Sequence, residues 1–174
     1  MDTFKKILYK CLSYLGCDFN TFQSIKSERI KAQKYSYILQ TVFNLPAGRF
    51  SLYLNGPYSS NLADDLYDIA RNQNAYQANM EEKPLKEEVS DLLNEIRSIF
   101  NAEELGIDEV DLLEIYTTYD YLKENFSSSS QEEILSELKR RKADLFSHYQ
   151  DSAFLNDLRN LDRIRDSIKA LTLQ

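Results

Sequence analysis

Apolar residues recur along most of this chain at the three- and four-residue spacing of helices buried on one side, and the period changes only once. Phe4, Ile7, Leu8, Cys11, Leu12 and Leu15 form one stripe, predicting a first helix that stops at Gly16. A second helix is expected from a cap near Ser27 to a stop at Pro46. Ile30, Tyr37, Ile38, Thr41, Val42 and Leu45 mark one side and Tyr35 and Leu39 another, so it reads as central. From Phe50 to Asn55 the apolar positions alternate, with Phe50, Leu52 and Leu54 on one face, which is the period of a half-buried strand. Asn55-Gly56-Pro57 then reads as a turn, with Gly56 at φ > 0 and Asn55 tolerant of the left-handed region. Ser59 or Ser60 is positioned to cap a third helix with Leu62, Leu66 and Ile69 inward.

Residues 72–80 are polar and aperiodic and read as a loop or short irregular strand. Pro84 suits the first turn of a fourth helix carrying Leu85, Val89, Leu92, Leu93, Ile96, Ile99 and Phe100. A fifth carries Leu112, Ile115, Tyr116, Tyr119, Leu122 and Phe126, all expected in the core. Ser130 with Glu133 is a capping-box pair opening a sixth, with Ile134, Leu135 and Leu138 inward. The last seam, Phe154, Leu155, Leu158, Leu161, Ile164, Ile168 and Leu171, closes the core or, as the alternative use, forms a homodimer face.

At 174 residues the chain is sized for one domain spanning residues 1–174, and 43% hydrophobic with mean hydropathy −0.51 is a soluble composition. Cys11 and Cys17 form neither a CxxC pair nor a disulfide framework, Lys10 breaks the apolar run before Cys17, and no span suits a membrane. A cytoplasmic protein is expected. Charge is unevenly spread: residues 1–61 carry 8 basic and 3 acidic groups, 62–125 carry 5 and 17, and 126–174 carry 8 of each. So acidic a central third disfavours nucleic acid; it reads as a solvated face or as a surface that steers a basic partner.

Catalytic chemistry has little to stand on. His148 is the single histidine, which excludes zinc sites needing two imidazoles, and there is no phosphate-cradling glycine loop. Cys11 falls on an apolar stripe, where an inert thiol is the ordinary case. No catalytic, metal or cofactor residues are assigned, and no enzyme activity is expected. Lys139-Arg140-Arg141-Lys142 is the one basic cluster, but four consecutive residues spread around a helix, and Glu137 is placed to pair with Arg141.

Lys31-Ala32-Gln33-Lys34-Tyr35, followed by a short strand and Asn55-Gly56-Pro57-Tyr58-Ser59, resembles the paired motifs of the YwgA-like family of small bacterial proteins. That family is itself similar to the Panacea, or SocA-type antitoxin, domain. Spacing over residues 112–123 and 132–142 is similar to the family's second half, while Ala32, Asn55 and the lack of a wing-like segment after Ile69 depart from it. The resemblance implies a mainly α, Panacea-like domain of about seven helices with one small β-ribbon. It also implies a non-enzymatic antitoxin-like module masking a partner protein, such as a toxin encoded nearby, in a toxin-antitoxin or phage-defence setting. Gln33, Lys34, Gly56, Pro57, Tyr58 and Ser59 are the partner-binding residues so implied. The alternative is a DNA-binding transcriptional regulator using Lys139, Arg140, Arg141 and Lys142.

Overall fold

The computed structural model describes residues 1–101, 105–149 and 153–171, apart from the side chains of 153 and 155. Among these, ten helical segments and one hairpin follow in the order α1 (Thr3–Tyr14), α2 (Lys26–Phe43), β1 (Ser51–Tyr53), β2 (Gly56–Tyr58), α3 (Ser60–Arg71), α4 (Gln73–Glu82), α5 (Glu87–Ile99), α6 (Glu109–Asn125), α7 (Gln131–Arg141), α8 (Ala143–His148), α9 (Ala153–Asn156) and α10 (Leu158–Leu171). The mainly helical class with one small antiparallel ribbon is the one expected from the sequence.

Two helices form the centre. In α2 every residue from Ala32 to Leu39 is buried, and in α6 every residue from Leu112 to Asp120 is buried, which is why neither shows a clean stripe. They pack on each other. α1 and α3 lie against α2, with α4 and α5 against α1, while α7 and α10 cover other sides of α6. Tyr35, Tyr116 and Tyr119 are fully buried there, and Phe100 meets Tyr35 edge-on at 6.1 Å. α10 seats Leu161, Ile168 and Leu171 inside the chain against α6, α2 and α5, so that seam closes the core; the Leu155 side chain lies outside the described residues.

Charge from the acidic third is spent between segments. Lys5 bonds Asp68 at 2.9 Å, Lys31 pairs with Glu109 at 3.0 Å, and Arg165 pairs with Asp120 at 2.7 Å. Asp120 is buried and also accepts from the Tyr37 hydroxyl at 2.7 Å, so α6, α2 and α10 share one carboxylate. Part of the imbalance along the sequence is met by pairing across the fold.

Several boundaries differ from expectation for local reasons. Ser27 caps nothing, because α2 begins at Lys26 after Ile25 with no side-chain cap. It ends not at Pro46 but at Asn44, whose φ of 53° is the left-handed conformation that asparagine tolerates. Residues 73–82 are helical although polar, since only Tyr76 of α4 is buried and one anchor leaves no periodicity to detect. α5 starts at Glu87, with Pro84 three residues upstream. Ile7 and Phe126, placed in the core by spacing, are exposed. Ser59 is the cap of α3, its hydroxyl accepting from the Leu62 N–H at 3.3 Å, and the Ser130–Glu133 capping box is formed.

Candidate functional site

The hairpin registers Ser51 with Tyr58, Leu52 with Pro57 and Tyr53 with Gly56, leaving Leu54-Asn55 as a two-residue turn. In such a loop the closing pair exchanges hydrogen bonds and the next pair does not, so the missing N–H of Pro57 is not called upon. The positive φ falls on Gly56 at 89° and not on Asn55. β2 is the strand that packs on α2 and α6. A Cβ on Gly56 would stand 2.7 Å from the Thr118 hydroxyl oxygen and 3.4 Å from Lys34 Cε, so this backbone lies directly on α6.

Three side chains hold the hairpin by its backbone. Gln33 makes a paired amide contact with Ser59, accepting from its N–H at 3.1 Å and donating to its carbonyl at 2.9 Å. Lys34 donates to the Pro57 carbonyl at 2.6 Å, and Lys142 donates to the Leu54 carbonyl at 3.0 Å. Glu114, buried on α6, lies 3.6 Å from the Lys142 ammonium and is the carboxylate that both lysines face. Two cations to one carboxylate in a buried site disfavour full charging. Lys34 is 1% exposed and its pKa is lowered to about 7, chiefly by desolvation, with Glu114 opposing and Lys142 adding to the fall. Burial lowers Lys142 as well.

Of the six residues the resemblance assigns to partner contact, the structure brings all together, but most face inward. Gln33, Lys34, Gly56, Pro57 and Ser59 are buried, and the polar side chains of Gln33, Lys34 and Ser59 bond within the chain. Tyr58 is half-buried and meets Tyr53 edge-on at 5.1 Å. The basic quartet divides. Arg140 and Arg141 both bond Glu137, whose carboxyl they hold down at about 2, and Lys142 turns in to the hairpin.

What the hairpin leaves outside is apolar. Leu54, expected on the inner face of the strand, is 84% exposed, and Tyr53 is 59% exposed. The tip has no second layer to bury against, so both faces meet solvent. Beside it runs an open groove of about 360 Å³ between α2, α3 and the hairpin. Its apolar walls are set by Phe22, Ile30, Leu66 and Tyr67, with Tyr53 and Tyr58 on the hairpin side. Lys26 and Arg29 stand on the α2 side, and Lys34 closes the base. Sequence periodicity misses this groove because Phe22 and Lys26 precede or open α2 and Leu54 carries the right spacing on the wrong face. A bulky apolar residue at a turn position was the available signal.

The described residues hold no cluster of three or more His, Cys, Asp or Glu side chains placed to share a metal ion, and no helix among them is long and apolar enough to cross a membrane. Both cysteines are buried; burial raises Cys11 to about 11 and Cys17 further, which keeps both as thiols. In comparisons with known proteins, no family model, no curated protein and no solved structure matches this chain.

Proposed function

We propose that this chain is a non-enzymatic protein-binding module of the antitoxin type, which masks or regulates a partner protein through the hairpin tip and the groove beside it. The observation that carries this reading is the exposed apolar pair Tyr53 and Leu54, fixed over an open apolar groove by buried contacts from Gln33, Lys34 and Lys142. A large exposed aliphatic side chain beside aromatics on a rigid support has the composition and preorganisation of an interface anchor. The motif residues support the same reading indirectly, since they bind the backbone that presents the tip. Cytoplasmic residence accords with two buried free thiols. The regulator alternative draws less support, because the quartet offers no common basic face: two of its members bond Glu137 and one is buried.

The test is co-expression with the product of the adjacent gene, followed by purification of the complex. Leu54→Asp, at a position free of core packing, is expected to leave the thermal melt unchanged and to weaken the complex by about 2 kcal/mol or more, a hot-spot loss. A complex of undiminished affinity with the Leu54→Asp variant rejects the tip as the recognition surface.

A further inference from the structure

The groove has a sign as well as a shape. Its charged lining residues among those described are Lys26, Arg29 and Lys34, all basic, and no carboxylate lines it. Arg29 uses one guanidinium nitrogen, Nη1, to hold the Phe22 and Gln23 carbonyls at 3.1 and 3.0 Å, which fixes the guanidinium beside the groove. Lys26 is exposed, at the first position of α2. That helix starts with no side-chain cap, and Glu28 in its first turn offsets part of its positive end. Of the acidic third of the chain, Asp65, Asp68, Glu109, Glu114 and Asp120 are each within ion-pair reach of a basic side chain from another segment.

Resting on the docking reading above, we infer that the groove takes a segment of a partner protein carrying a large apolar anchor flanked by carboxylates. The anchor enters between Ile30, Leu66, Tyr67 and Tyr58, and the carboxylates lie along Lys26 and Arg29. Apolar burial supplies affinity, while exposed Lys26 and half-buried Arg29 set orientation and speed of encounter. A basic or uncharged segment of equal hydrophobicity is disfavoured by the same cations. The groove thus differs in sign from the acidic central third, which reads as a solvated face or as a surface that steers a basic partner.

The probe is a phage-displayed library of short random peptides selected on the intact, immobilised chain. Recovered peptides are expected to carry a large apolar residue with Asp or Glu beside it and to compete with one another. Lys26→Glu, at an exposed position, is expected to slow their association by about three- to tenfold at low salt while leaving dissociation unchanged. Ala63→Trp, which fills the groove, is expected to abolish binding, with circular dichroism confirming that each variant is folded. Recovery of basic or uncharged peptides, of none, or of peptides indifferent to Lys26→Glu overturns the inference. A sedimenting dimer that Leu54→Asp dissolves identifies a second copy as the occupant and overturns it too. The outcomes are separable: a neighbour-encoded complex indifferent to Leu54→Asp defeats the functional reading, whereas the peptide results bear on the occupant of the groove.

Discussion

Replacing Gly56 by alanine probes how the hairpin is seated on the central helices. Two costs add. A side chain at φ 89° meets the steric penalty of the left-handed region, about 1–2 kcal/mol. The new Cβ also stands 2.7 Å from Thr118 Oγ1, closer than real carbon–oxygen contacts allow. That hydroxyl is not free to turn away without loss, because it donates to the Glu114 carbonyl at 2.7 Å. Overpacking of this kind costs about 1–3 kcal/mol, so Gly56→Ala is expected to cost about 2–5 kcal/mol in total. In urea unfolding followed by circular dichroism, with a slope near 2–3 kcal/mol per molar for a chain this long, the midpoint falls by about 0.7–2.5 M. Gly56→Val should fall further, since a β-branched residue is the least tolerant of positive φ. Adding Thr118→Ala separates the costs. It removes the clashing oxygen and leaves the backbone penalty, so Gly56→Ala in that background should cost only about 1–2 kcal/mol. An unchanged midpoint for Gly56→Ala refutes the backbone conformation, and an equal loss in both backgrounds refutes the contact with Thr118.

Gln33→Ala leaves the Ser59 N–H buried and without its partner, while the Ser59 carbonyl keeps its bond from the Ala63 N–H at 3.0 Å. One orphaned donor and one lost bond amount to about 2–4 kcal/mol in the same unfolding assay, and a loss below about 1 kcal/mol rejects the paired contact. Asp120→Ala orphans the Tyr37 hydroxyl and takes one of two carboxylate partners from Arg165, which keeps Glu124, and should cost about 2–4 kcal/mol; a near-neutral result shows that this carboxylate is dispensable. Lys34, lowered to about 7 in the fold, loses its proton there while the unfolded chain keeps it, so stability should rise from pH 7 to about 8.5 with a slope of up to ~1.4 kcal/mol per pH unit. Above the ordinary thiol range the trend reverses, since Cys11 and Cys17 stay protonated only in the fold. Lys34→Met should flatten the rising limb, and a slope that survives the substitution assigns it to another group.

The fold class was legible because one-sided helices announce themselves. α1, α3, α5, α7 and α10 show their stripes, and the caps at Ser59 and Ser130 depend on local chemistry alone. α4 was not legible, because a helix with one buried anchor has no period. The site was half legible. Gln33, Lys34 and the Gly56 to Ser59 turn come together in the fold, yet spacing cannot tell whether a polar residue on a buried helix faces a partner or the chain's own backbone. Leu54 was misplaced because alternation describes a strand that something covers, and this tip is bare. Lys142 read as one member of a basic run; its burial follows from contact with a carbonyl 88 residues earlier, which no local rule reaches.

That last contact gives the hairpin a place in time. The Leu54 carbonyl must wait for Lys142, and the neighbouring Glu114 and Thr118 also arrive after it in synthesis. At about 5–20 residues per second, the 88 intervening residues take roughly 4–18 s to emerge. During that interval Tyr53 and Leu54 are exposed but not fully held, because the Leu54 carbonyl lacks the Lys142 ammonium that fixes it. The proposed docking surface is therefore completed late in synthesis: a chain cut short before α7 carries every residue of the groove, with Gln33 and Lys34, but lacks Lys142, the last of the three side chains that hold the hairpin.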